Sequence, residues 1–167
     1  MTAFPATQRG SSLIETVIAM GVLAVAIPLV FGTLAESGKS GMSSEAETRS
    51  TWMVPACMDE IRASREGRPR YFTPTAVAQV FPPNGDVWAL AFSAEGKPVG
   101  KISKAAYDEG IKELGGQAVR YIASLSAAED LIESGAAPML RTRISVEYPA
   151  ASPAAKRRKL DFHTRIP

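Results

Sequence analysis

Few side chains in this sequence are of a type and spacing that could do chemistry. Cys57 is the only cysteine and His163 the only histidine, so no spaced Cys/His metal set can be assembled, and no internal disulfide. The adjacent acids Asp59-Glu60 and Glu129-Asp130 fall on segments read as helical, where neighbours point apart, so neither pair makes an acid/base couple. There is no phosphate-cradling glycine loop and no nucleophile elbow. These patterns call for no catalytic residue, no metal and no cofactor, and the chain is expected not to be an enzyme. Cys57 reads as a small buried apolar residue, and His163 as a surface imidazole on the polar side of a strand. The one dense charge cluster is Lys156-Arg157-Arg158-Lys159, four cations in a row. Such a run can meet phosphate groups or the acidic surface of a protein partner. No aromatic residue interleaves it, which favours a solvated strand entry or a subunit contact and makes nucleic acid an unlikely partner.

The remaining chemically distinctive residue is Glu15, and its setting decides what it is for. Residues 16–34 carry no charged side chain. A run of about 20 such residues lets a helix cross a hydrocarbon core of about 30 Å. A carboxylate at the edge of that run costs a few kcal/mol unless it lies near the interface or meets a positive partner.

A short polar leader ending in Arg9-Gly10, a glutamate at the fifth place after that glycine and an apolar helix directly behind it make this sequence resemble the type IV pilin and type II secretion pseudopilin family. The match covers about residues 9–34. Ser11 stands where the family usually has Phe or Met. The resemblance implies a prepilin peptidase of the inner membrane that cuts between Gly10 and Ser11 and methylates the new amine. It implies that Glu15 takes the role of the family's glutamate, pairing with the N-terminal amine of a neighbouring subunit and so setting register in a filament. It further implies a structural subunit, of the minor V or I type, whose partners are other pilin-like subunits and whose C-terminal domain lies in the periplasm. Three other readings stay open: a cleaved signal peptide, a plain single-pass anchor, and a DNA-uptake pilin that uses Lys156 to Lys159.

The 167 residues leave about 130 beyond the apolar run, enough for one soluble domain. A net charge of +2 gives no electrostatic instruction about partners. The weakly positive flank at Arg9 fits the cytoplasmic side. The chain accordingly divides into a leader (1–10), a transmembrane part of the first helix (11–34), a polar continuation (35–66) and a globular sheet domain (67–167). Pro28 and Pro55 predict bends, and Gly38 and Gly41 a loosened neck. Ala46, Met53, Cys57 and Ile61 recur at helical spacing, and Gly67 with Pro69 predicts the helix end.

Downstream, Asn84-Gly85 reads as a turn, Trp88 to Phe92 and Val99 to Ile102 as a hairpin across Glu95-Gly96-Lys97, and residues 104–114 as a helix or helical loop closed by Gly115-Gly116. Alternation over 118–126 predicts a strand and residues 127–133 a helical turn. Two further strands follow. In Met139 to Tyr148, Leu140, Ile144, Val146 and Tyr148 face inward, with Arg141, Arg143, Ser145 and Glu147 outward; in Leu160 to Ile166, Asp161, His163 and Arg165 face outward. The sum is an α+β fold, a long helix packed on an antiparallel sheet of about four or five strands.

Overall fold

The computed structural model describes residues 12–72, 80–81, 87–130 and 139–166. Its first element is the 53-residue helix α1 (Leu13–Arg65). The chain divides between Ser43 and Ser44 into two compact units, so α1 contributes to both. In the first unit the helix leaves its large apolar side chains exposed, Leu13, Val17, Leu29 and Phe31 among them. The helix runs unbroken through Gly38 and Gly41, where a loosened neck is predicted, and through Pro28 and Pro55. Glycine costs about 1 kcal/mol of propensity without forbidding helix, and a proline removes a single amide from a ladder that its neighbours continue.

The end of α1 falls where Gly67 predicts. Gly67 takes φ 73°, its N–H donates to Ser64 O at 3.2 Å, and the Arg68 N–H donates to Ala63 O at 2.8 Å. Those two bonds satisfy the carbonyls of Ala63 and Ser64 in a Schellman closure, which needs a left-handed residue at that place.

In the second unit five antiparallel strands lie side by side in the order 98–102, 88–92, 121–130, 139–148 and 158–166. They are β2 (Trp88–Phe92), β3 (Pro98–Ile102), β6 (Tyr121–Asp130), β7 (Met139–Tyr148) and β8 (Arg158–Ile166). The two-residue β1 (Val80–Phe81) pairs with β6 beyond the end of β2. A second small ladder joins β4 (Glu113–Leu114) to β5 (Gln117–Ala118). The long helix followed by an antiparallel sheet agrees with the predicted α+β layout, and so does the β2–β3 hairpin, turned at Gly96 with φ 78°.

Two predicted elements are corrected. Helix α2 (Lys104–Glu109) stops five residues early, because residues 113–114 pair back on 117–118 across Gly115 and Gly116, both at positive φ. Two consecutive positive-φ glycines form the turn that matches strand twist. Residues 127–130 are not a helical turn but the end of β6, paired residue by residue with β7 up to Asp130↔Met139. A long neighbour strand outweighs the weak local preference of Ala127 and Ala128. The Asn84-Gly85 turn and residues 131–133 lie outside the described residues.

The register sorts the sheet into two faces, one buried along its length and the other covered at one end only. Trp88, Leu90, Phe92, Leu125, Ile144 and Val146 share one. The α1 stripe Ala46, Met53, Cys57 and Ile61 is fully buried, and Arg49 and Met53 come within 3.7 Å of the position a Cβ on Gly96 would take. Each large apolar side chain removed from water here contributes about 1.5–3 kcal/mol. The opposite face holds Ala89, Ala91 and Ile122, packed with Ile102, Val119 and Ala150 and edged by Ala106, Tyr107, Ile111 and Leu114.

This assignment of faces has a direct test in a fragment beginning at Ser44, which should fold cooperatively with mixed helix and sheet. Ile144 is completely buried, so Ile144→Ala should cost about 2–5 kcal/mol in urea unfolding. Arg143, half-exposed and paired with Asp161 at 2.9 Å, should cost under about 1 kcal/mol on replacement by Ala. Equal losses from the two would show the register to be wrong.

Candidate functional site

At its N-terminus α1 is started by Ser12. The Glu15 N–H donates to Ser12 O at 3.0 Å and to Ser12 Oγ at 3.3 Å, and the Thr16 N–H donates to Ser12 O at 3.2 Å. Ser12-Leu13-Ile14-Glu15 thus fits the S-x-x-E spacing of a capping box, in which a hydroxyl and an acid serve the unpaired amides of the first turn. The negative charge of Glu15 also suits the positive end of the helix dipole. That local role was legible in the spacing, and sequence reasoning missed it. Gly10 and Ser11 lie outside the described residues.

Behind Glu15, α1 contains the one helix segment among the described residues that is long and apolar enough to cross a membrane. None of that apolar segment is buried within the chain. A helix apolar all round and covered by nothing is suited to lipid or to other apolar helices.

The basic run does not stand together. Lys156 ends a short 3-10 turn (Ala154–Lys156) and is exposed, as is Arg158 at the start of β8. The Arg157 guanidinium is wholly buried and points inward. Its Nε donates to Ser152 O at 2.7 Å, one terminal nitrogen donates to Glu147 at 3.2 Å, the other donates to Tyr107 O, and the group lies 5.0 Å from the Tyr107 ring centre. Lys159 is partly exposed but donates to Glu147 Oε1 at 3.0 Å.

The centre of this arrangement is Glu147, predicted to face outward and in fact fully buried. Ser145, two residues before it, is likewise buried. Alternation places both correctly on the face opposite Val146, but α2 and the loop 149–157 cover that end of the sheet. The loop is held close: the Ile111 N–H donates to Ala150 O at 2.9 Å, and a Cβ on Gly110 would fall 2.7 Å from the carbonyls of Ala151 and Ser152. Glu147 also accepts from Tyr107 Oη at 2.6 Å. Burial and then the bond to Glu147 push the Tyr107 hydroxyl above its ordinary pKa; the Glu147 bond raises that of Lys159. A depression of about 280 Å³ opens beside this group, but Lys159, Glu147 and Arg143 on its wall are each paired internally.

A second buried carboxylate, Glu60, collects the N–H groups of Arg70, Tyr71 and Phe72 at 3.2, 2.7 and 3.1 Å. It ties the chain after α1 back onto the helix and sets Phe72 against Trp88, ring centres 4.5 Å apart. Asp59 points away into solvent, as neighbours on a helix must. Glu129 and Asp130 are strand neighbours in β6. Cys57 is buried, and burial followed by the nearby Glu60 charge pushes its thiol far above the ordinary range, toward the unreactive form. His163 lies exposed on β8 opposite Arg143. Among the described residues no three His, Cys, Asp or Glu side chains cluster as metal ligands. No family model, curated protein or solved structure matches the chain.

Proposed function

We propose that this chain is a non-enzymatic structural subunit, a pilin-like or minor pseudopilin precursor that is cut between Gly10 and Ser11 and assembles through α1. The observation that carries the reading is the division of labour within one helix. Its first part exposes apolar side chains on every side, while its second part buries a single stripe against the sheet. In this reading the first part sits in the inner membrane and then among the helices of a short filament, with the sheet domain in the periplasm. Its partners are the prepilin peptidase and other pilin-like subunits. The burial of Arg157 weakens the DNA-uptake alternative, since it removes a cation from the middle of the basic run.

Glu15 is where the reading meets a test, because its local and intersubunit roles respond differently to substitution. Glu15→Gln preserves an S-x-x-Q capping box but removes the charge that would pair with a neighbour's amine. Glu15→Val removes both. Both variants should insert and be cleaved, and both should lose recruitment into complexes with other pilin-like subunits, measured by copurification of tagged protein. Normal recruitment of Glu15→Gln with loss only in Glu15→Val would reduce Glu15 to a helix cap.

A further inference from the structure

The two edges of the main sheet are protected very differently. At one, β3 begins with Pro98, spans five residues and meets β2 with a shift of register at Ala91/Phe92. Those devices blunt an edge against further pairing. At the other, β8 pairs with β7 over nine consecutive positions, Leu140↔Ile166 through Tyr148↔Arg158, without a shift, and contains no proline. Among the described residues no strand pairs with its outer side. What distinguishes this edge is an ordered set of charges, Lys159, Asp161, His163 and Arg165, on one face, with Leu160, Phe162 and Ile166 on the other.

We propose that this edge docks a second copy of the chain, β8 antiparallel to β8, with His163 on the two-fold axis. In an antiparallel pair, residues at equal distances on either side of the axis stand opposite each other. With the axis at His163, Asp161 faces Arg165 twice, Leu160 faces Ile166 twice, and Phe162 faces Thr164 twice. Neighbouring registers are worse. An axis at Phe162 sets Lys159 against Arg165, and an axis at Asp161 sets the two carboxylates against each other. An axis at Leu160 sets Lys159 against Asp161 but pairs only residues 158–162 of β8, against 160–166 with the axis at His163, because Arg157 precedes the strand and its guanidinium is committed inside the fold. An axis at Thr164 sets His163 against Arg165. Asp161 accepts from Arg143 through Oδ2 at 2.9 Å, and a carboxylate has capacity for a second guanidinium. Opposite charges and apolar groups directly across a strand pair are what select its register.

The register is tested by cross-linking full-length protein in detergent. Directly opposite residues across an antiparallel pair have Cα atoms about 4.5–5.5 Å apart, within disulfide reach. His163→Cys should therefore give a disulfide-linked dimer under a mild oxidant. In Asp161→Cys the two equivalent positions lie four residues apart along the seam, about 13 Å, and should not link. The wild-type chain, whose Cys57 is buried, is the background. Asp161→Arg should weaken association of the uncross-linked protein about tenfold, and adding Arg165→Asp should restore it. No link through His163→Cys, or equal linking through Asp161→Cys, overturns the register, as does a charge swap that fails to restore. Cleavage at Gly10 plays no part in this test, so its outcome is separate from the fate of the filament reading.

Discussion

Glu147→Ala is expected to be the most damaging single substitution in the sheet domain. It strips the wholly buried Arg157 of its counter-ion, and an uncompensated charge left inside a protein costs about 3–5 kcal/mol. Small domains hold only about 5–15 kcal/mol in total, so a large share of the fragment beginning at Ser44 should unfold at low urea. Removing both charges is a different matter. Glu147→Met combined with Arg157→Met should recover much of the loss, because two apolar groups of similar volume leave no charge unpaired. If Glu147→Ala cost no more than Arg143→Ala, the buried pair would not be holding the loop 149–157.

The same cluster gives an alkaline limb to stability. Tyr107 and Lys159 are both raised in the folded protein from ordinary values of 10.0 and 10.5. A raised pKa means that the folded state holds its proton more tightly. The stabilisation is therefore complete below the ordinary values and is lost as pH climbs through them toward the folded ones. Urea midpoints should stay level through neutral pH and decline above about pH 10, and the decline should shrink in the Glu147→Met, Arg157→Met double variant.

Why Glu147 escaped sequence reasoning explains what a sequence of this kind does and does not carry. Alternation in Met139–Tyr148 correctly set Ile144 and Val146 on one face and Arg143 on the other, because period two is a local property. Whether the second face meets water is decided elsewhere, by α2 and by a loop whose path depends on Arg157 itself. The basic run misled for the same reason: four adjacent cations look alike in sequence, and only the fold turns one inward. The Schellman end at Gly67 and the stripe Ala46, Met53, Cys57, Ile61 were legible because each is fixed by its own spacing. The strand at residues 127–130 was not, because alanines take the form of whatever ladder lies beside them. At the N-terminus the apolar run, Glu15 and the cap at Ser12 are all written in consecutive residues.

Gly10→Val carries the largest expected effect on biogenesis. If the chain is processed as proposed, a branched side chain at the residue preceding the cut should exclude it from the peptidase and leave uncleaved precursor in the membrane, while Gly10→Ala should be processed in part. Both substitutions precede the apolar run in sequence, so both precursors should insert normally. Subunits that keep their leader should fail to join other pilin-like subunits, since the amine that would meet Glu15 is never formed.

The most direct measurement is the mass of the N-terminal peptide of the wild-type protein recovered from membranes of cells that carry the peptidase. A chain that begins at Ser11, and one that begins at Met1 in the Gly10→Val variant, is the predicted result. A wild-type chain that keeps Met1, or that begins at Glu36 after a cut behind the apolar run, would contradict it.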